Sequence, residues 1–178
     1  MLLLSKELID QPVLSLQTGR HIATTRLPII NPRSLKIVGW WCTDLNSSQH
    51  VLLTEDVREF NRDGIIVNDQ TVLCDAEDLI RLQEILEINF EVIDKLVKTK
   101  HRKLGKVSDY CFDESYIIQK IYVSQSITKA FGTDILIIGR DQIVEVTDQY
   151  IVVRDGSVEE TKGVPLPKFA AKLLGNAS

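Results

Sequence analysis

The sequence is poor in the residues that build metal and disulfide sites. It holds three Cys (Cys42, Cys74, Cys111) and three His (His21, His50, His101) in 178 residues. No two of these six lie within four residues of each other, so there is no CxxC, HxxxH or CxxH pair. Structural zinc sites usually contain such a close pair, and neither a metal nor a cofactor site is expected. The odd, scattered Cys do not read as a disulfide framework; they read as reduced thiols packed as small hydrophobes in a reducing cytoplasm. With five Pro and nine Gly, the chain is not linker-dominated. A net charge of −4 and a pI of about 5.4 exclude a global basic field for nucleic acid. Long apolar runs are missing too. The run Ile135-Leu136-Ile137-Ile138 is strand-sized, far short of the ~18–20 residues of a membrane span. Met1-Leu2-Leu3-Leu4 runs straight into Ser5-Lys6-Glu7, without the basic start and ~7–15-residue apolar core of a signal peptide. The expectation is a soluble, cytoplasmic globular protein.

What the chain does have is an internal repeat. Glu7-Leu8-Ile9-Asp10-Gln11-Pro12-Val13 reappears as Glu91-Val92-Ile93-Asp94-Lys95-Leu96-Val97, an offset of 84. Val51-Leu52-Leu53 and Ile65-Ile66-Val67-Asn68-Asp69 match Ile137-Ile138-Gly139 and Ile151-Val152-Val153-Arg154-Asp155 at 86, and Gly19-Arg20 is aligned with Gly105-Lys106 at the same offset. Residues 35–42 fit 116–123 at 81. Spacing that changes only where loops should lie points to tandem duplication. Each copy is rich in β-branched and aromatic runs, with turn candidates at Arg62-Asp63-Gly64 and Thr147-Asp148-Gln149. Gly19 and Gly105 stand where a hairpin needs positive φ or close backbone approach. Five or six short strands in ~70 residues predict a small barrel, because closure removes exposed edges.

Between the copies the pattern predicts an amphipathic helix over 75–89, N-capped by Asp75, with Leu79, Leu82, Ile85, Leu86 and Ile88 on one stripe. Met1–Leu8 would be a stunted equivalent. After Glu159 the chain changes character. Pro165 and Pro167 disfavour helix, and 168–174 can make two amphipathic turns, too short for independent stability. The expected organisation is a first barrel over 1–74, a linker helix over 75–90, a second barrel over 91–158 and a tail over 159–178.

The second copy carries Val92-Ile93-Asp94-Lys95-Leu96-Val97, then Leu104-Gly105-Lys106-Val107-Ser108-Asp109-Tyr110, then Ile118-Gln119-Lys120-Ile121-Tyr122-Val123. With Arg140–Val146 and Ile151–Asp155 this resembles the PRC-barrel family. That family includes the cytoplasmic barrel of the photosynthetic reaction-centre H subunit and the C-terminal domain of the ribosome maturation factor RimM. The resemblance covers 91–155 well and 7–70 less well, since His21-Ile22-Ala23 replaces the usual Val-x-Asp and Trp40-Trp41 is unusual for it. It implies a mainly β fold of two tandem PRC-type barrels and a binding role without catalysis. The partner would be a protein in a ribosome-linked or membrane-linked assembly.

The candidate contact residues follow. Trp40 and Trp41 must point to opposite sides of a strand, one into the core and one outward, either as a partner anchor or covered by the linker helix or the other barrel; which is which is left open. Phe169 and Leu173 make the tail a candidate docking peptide. Lys98, Lys100, His101, Arg102 and Lys103 form a basic hairpin, either a solvated turn or a contact patch for RNA phosphates or an acidic partner. The acidic groups Asp109, Asp113 and Glu114, and Asp56 with Glu59, are expected in solvated loops. Ser108, Asp109 and His101 make no convincing hydrolytic set, and no catalytic residue is assigned.

Overall fold

A computed structural model describes residues 1–61, 63–125 and 135–154. The fold is mainly β, with a half-barrel sheet and one short α-helix. The first half contributes β1 (Leu3–Leu4), β2 (Pro12–Ser15), β3 (His21–Asn31), β4 (Lys36–Asp44), β5 (Gln49–Leu53), β6 (Val57–Asn61), β7 (Gly64–Val67) and β8 (Leu73–Cys74). After α1 (Gln83–Ile88) come β9 (Leu96–Lys98), β10 (Lys103–Phe112), β11 (Ile118–Ser124), β12 (Ile135–Gly139), β13 (Ile143–Val146) and β14 (Tyr150–Val153). Strands form where β-branched residues alternate between core and solvent. In β11, for example, Ile118, Ile121 and Val123 are buried while Lys120 is exposed.

The two sheets have the same strand order. One runs β6-β7-β2-β3-β4-β5-β8, the other β13-β14-β9-β10-β11-β12. In each, one parallel pair (β2 with β7, β9 with β14) sits among antiparallel neighbours. The register repeats as well. Trp40 faces Leu52 where Ile121 faces Ile138, and Val13 faces Ile65 where Val97 faces Ile151. Left-handed backbone recurs at matched positions: Asp10 (φ 57°) with Asp94 (φ 64°), and Leu35 (φ 54°) with Tyr116 (φ 61°).

One expected alignment is wrong. Val13 pairs with Ala23, whereas its counterpart Val97 pairs with Gly105. Ala23, not Gly19, therefore corresponds to Gly105. Gly19 instead closes the β2–β3 turn, donating its N–H to the Ser15 carbonyl at 2.8 Å.

The halves meet around a pseudo-twofold relation. Ile37 N–H donates to the Tyr116 carbonyl at 2.8 Å, and Ile118 N–H donates to the Leu35 carbonyl at 3.0 Å. These bonds exchange equivalent residues, and Lys36 bridges its own counterpart Ile117 between them. This is the isologous pattern of a twofold dimer, here within one chain. The leading segments cross over: β1 pairs with β10 of the other half, while α1 packs on β3. Trp40, Phe60, Phe112 and Tyr116 join across the boundary, with Phe112 and Tyr116 stacked 6.5 Å apart and Trp40 edge-on to Tyr116 at 5.6 Å. The buried side chains of both halves form one hydrophobic cluster.

The continuous helix expected over 75–89 is not present. The segment makes 3-10 turns at Ala76–Asp78 and Ile80–Leu82, and α1 is six residues long, ending at Asn89 with φ 43°. Asp75 caps nothing; its carboxylate lies 3.1 Å from His50 Nδ1. Met1–Leu8 is likewise β1 followed by a 3-10 turn at Ser5–Leu8. Among the described residues, no helix is long and apolar enough to cross a membrane.

Candidate functional site

The Trp pair divides as alternation on a strand requires. Trp40 is fully buried in the aromatic cluster between the halves, and its indole Nε1 has no hydrogen-bond partner among the described residues. Of the pair, Trp40 is thus the one whose ring is committed to the core. Trp41 is half-buried and lines a small crevice with Ile85, Leu86 and Phe90. The 75–90 segment thus shields much of the outward Trp. Phe169 and Leu173 lie outside the described residues, as does the whole of 159–178.

The basic hairpin is a built turn. Thr99 is buried; its N–H donates to the Arg102 carbonyl at 2.8 Å, and its hydroxyl accepts from the N–H groups of His101 and Arg102, each at 3.2 Å. This fixes the tip and leaves Lys100, His101, Arg102 and Lys103 exposed. Lys98 is held back, with its ammonium 3.4 Å from the centre of the Tyr150 ring, so its charge is partly engaged in a cation–π contact. The matching connection of the first half, residues 16–20, carries one charged residue, Arg20. The run of four exposed basic groups belongs to the second half.

Of the acidic groups, Asp113 holds a turn, while Asp109 lies on β10 and not in a loop. Asp113 accepts from the N–H groups of Ser115 (2.9 Å) and Ile117 (3.1 Å) and from Gln119 Nε2 (2.6 Å). Partial burial opposes ionisation there, but these donors prevail and hold the carboxyl below its usual range. Asp109 accepts from the Ser5 hydroxyl and the Tyr110 N–H. Ser108 donates to the Tyr122 carbonyl, so it is not aimed at His101, which sits in the far turn of the β9–β10 hairpin. Asp56 and Glu59 fall on a 3-10 turn and on β6. No group of three or more His, Cys, Asp or Glu among the described residues is arranged to hold a metal ion. Burial pushes the Cys42 thiol up to about 12, so it stays protonated and unreactive at neutral pH.

Two features escaped sequence reasoning. One is His50, whose ring lies between Asp44 (Nε2 to Oδ2, 3.5 Å) and Asp75, tying the β4–β5 hairpin to the start of the connecting segment. The other is the pairing at the outer edges of β5 and β12 among the described residues. The outer edge of β5 carries β8, with Val51 opposite Cys74 and Leu52 opposite Leu73. Among the described residues, β12, the counterpart of β5, pairs only with β11. Ile137 is 37% exposed where its counterpart Val51 is 0% exposed. Among the described residues the outer backbone groups of β12 have no strand partner, beside the apolar Ile137. Only the alignment of both sheets, strand by strand, brings it to view.

No protein-family model matches the chain, and no curated protein matches it.

Proposed function

We propose that the chain is a tandem PRC-barrel-type adaptor, a cytoplasmic binding protein that engages a protein partner and acts by surface complementarity, not by turnover. The observation that carries this reading is the edge of β12, which among the described residues pairs only with β11 and leaves Ile137 37% exposed. Strand addition at such an edge supplies affinity through backbone hydrogen bonds, and exposed side chains such as Ile137 supply specificity. The resemblance of residues 91–155 to PRC barrels and the repeated strand order support the family reading. An assembly linked to the ribosome or to a membrane is the setting the resemblance suggests.

The test is affinity capture with the full chain. Ile137→Lys places a charge on the edge, a device that blocks strand pairing. A specific protein retained by the wild type and lost with Ile137→Lys supports the adaptor reading. Equal retention by both removes the edge from it. The second reading, RNA contact or RimM-like assistance to ribosome maturation, rests on exposed Lys100, His101, Arg102 and Lys103. It expects salt-sensitive RNA binding that falls at least tenfold with Lys100→Glu and Arg102→Glu combined, and an unchanged affinity would dismiss it.

A further inference from the structure

The aromatic cluster at the seam lies on one side of the pseudo-twofold. Phe60 of β6 reaches across to the second half, where its ring centre lies 6.3 Å from Phe112 and 6.4 Å from Tyr116. The strand registers give the mirror positions. Phe60 faces Ile65 as Val146 faces Ile151, and Phe112 faces Ile118 as Ile30 faces Ile37. With Leu35 in the place of Tyr116, the three rings are matched by Val146, Ile30 and Leu35. The mirror side is thus built from smaller aliphatic side chains. A cleft of about 270 Å³ lies there, walled by Leu35, Ile143 and Val146, at the small end of the range for ligand pockets.

This side also carries its own charges. Arg140 stands where the first half has Thr54, each opening a 3-10 turn. Its Nη1 donates to the Ser34 carbonyl at 2.6 Å, which holds the guanidinium across the seam. Arg33 lines the cleft as well; its pair with Glu84, at 2.6 Å, is exposed at both partners, and opening such a pair costs little. Among the described lining residues the one acid is Glu145, which leaves the lining with one positive charge.

We infer that this cleft binds a small aromatic carboxylate. The ring sits against Val146 and Leu35, where the opposite side of the seam holds the ring of Phe60. The carboxylate meets Arg33 and Arg140, whose paired N–H donors match its two oxygens. One net positive charge suits a monoanion, whereas a phosphate dianion would be repelled by Glu145. The site lies at the seam and not on β12, so it stands apart from the adaptor reading.

Titration of the full chain with 3-phenylpropionate, followed by amide NMR shifts, tests the site, with 3-phenylpropanol as the uncharged control. The expected result is saturable shifts at residues 33–35 and 140–146, and binding about tenfold weaker or more for the alcohol, the scale of a lost charged hydrogen bond. Val146→Phe puts into the cleft the ring that Phe60 supplies on the other side. It should abolish binding and leave the melting temperature unlowered, whereas a ring forced into filled space destabilises. If Val146→Phe lowers the melting temperature, Arg33→Gln, at an exposed position, decides: binding about tenfold weaker upholds the site, and unchanged binding refutes it. No saturable shift at millimolar 3-phenylpropionate, equal affinity for the alcohol, or binding retained by a folded Val146→Phe would each overturn the inference.

Discussion

Gly19 and Gly105 both adopt positive φ, 66° and 151°, yet the two positions demand glycine to different degrees. A methyl group on Gly19 would meet nothing within 4 Å, so only the backbone conformation resists it. A methyl on Gly105 would overlap the carbonyl oxygen of Ser124 on the paired strand. Gly19→Ala is therefore expected to cost about 1 kcal/mol, the usual penalty for a left-handed L-residue. Gly105→Ala should cost clearly more, about 3 kcal/mol or above, because β10 must move off β11 as well. Urea unfolding of the two variants measures the difference, and equal midpoints would refute it. The sequence marked both glycines as special. It misaligned them because a Gly-basic pair recurs by chance, while the true counterpart of Gly105 is Ala23, whose φ is not positive. The fate of the Trp pair was half-legible: alternation forces opposite faces, but the choice of Trp40 for the core depends on Tyr116 and Phe60 arriving from distant parts of the chain.

The strands were legible because their period-two burial is written in local sequence. The connecting segment was not. Its apolar residues have helical spacing, but Asp75 is drawn to His50, and Leu79 adopts φ −87° with ψ 58°, which breaks the helix between the two 3-10 turns. Tertiary contact with β3 overrides a propensity that is weak over so few residues. The β4–β5 turn is a clearer local device. Asp44 accepts from the N–H groups of Ser48 (2.8 Å) and Asn46 (2.9 Å). Its carboxyl is held below the ordinary value of 3.8 chiefly by the Ser48 N–H, with further help from Asn46 and His50. A carboxyl depressed in the folded state contributes stability above its unfolded pKa and loses it as pH falls through the folded value. The melting temperature is accordingly expected to fall as pH drops below about 4. Asp44→Asn keeps an acceptor oxygen for the turn but cannot titrate, so its melting temperature should fall less over the same range. Asp69 is held low by Thr71 and shares the acid sensitivity, so the variant's response should be reduced and not abolished. Parallel pH profiles of the two proteins would rule out this role for Asp44.

At the scale of the whole molecule, duplication was readable in the sequence because matched registers leave matched patterns. The joining of the copies was not, because it runs through backbone bonds between Leu35–Ile37 and Tyr116–Ile118 that no side-chain pattern records. Those bonds, the crossed leading segments and the shared aromatic cluster argue against two separately stable domains. Units of ~70 residues have marginal cores by themselves, and here the buried residues of both form one cluster. One cooperative unfolding transition should result. The chain carries its own probes: both Trp lie in the first half, and all four Tyr (Tyr110, Tyr116, Tyr122, Tyr150) lie in the second. Trp fluorescence and Tyr near-ultraviolet dichroism should give the same midpoint in urea. Ile118→Ala, at a fully buried position of β11, should cost about 2–5 kcal/mol and shift both probes together, although no Trp lies in its half. Two separated midpoints, or a shift seen by the Tyr probe alone, would mean that the halves fold independently and that the contact between them is not needed for their stability.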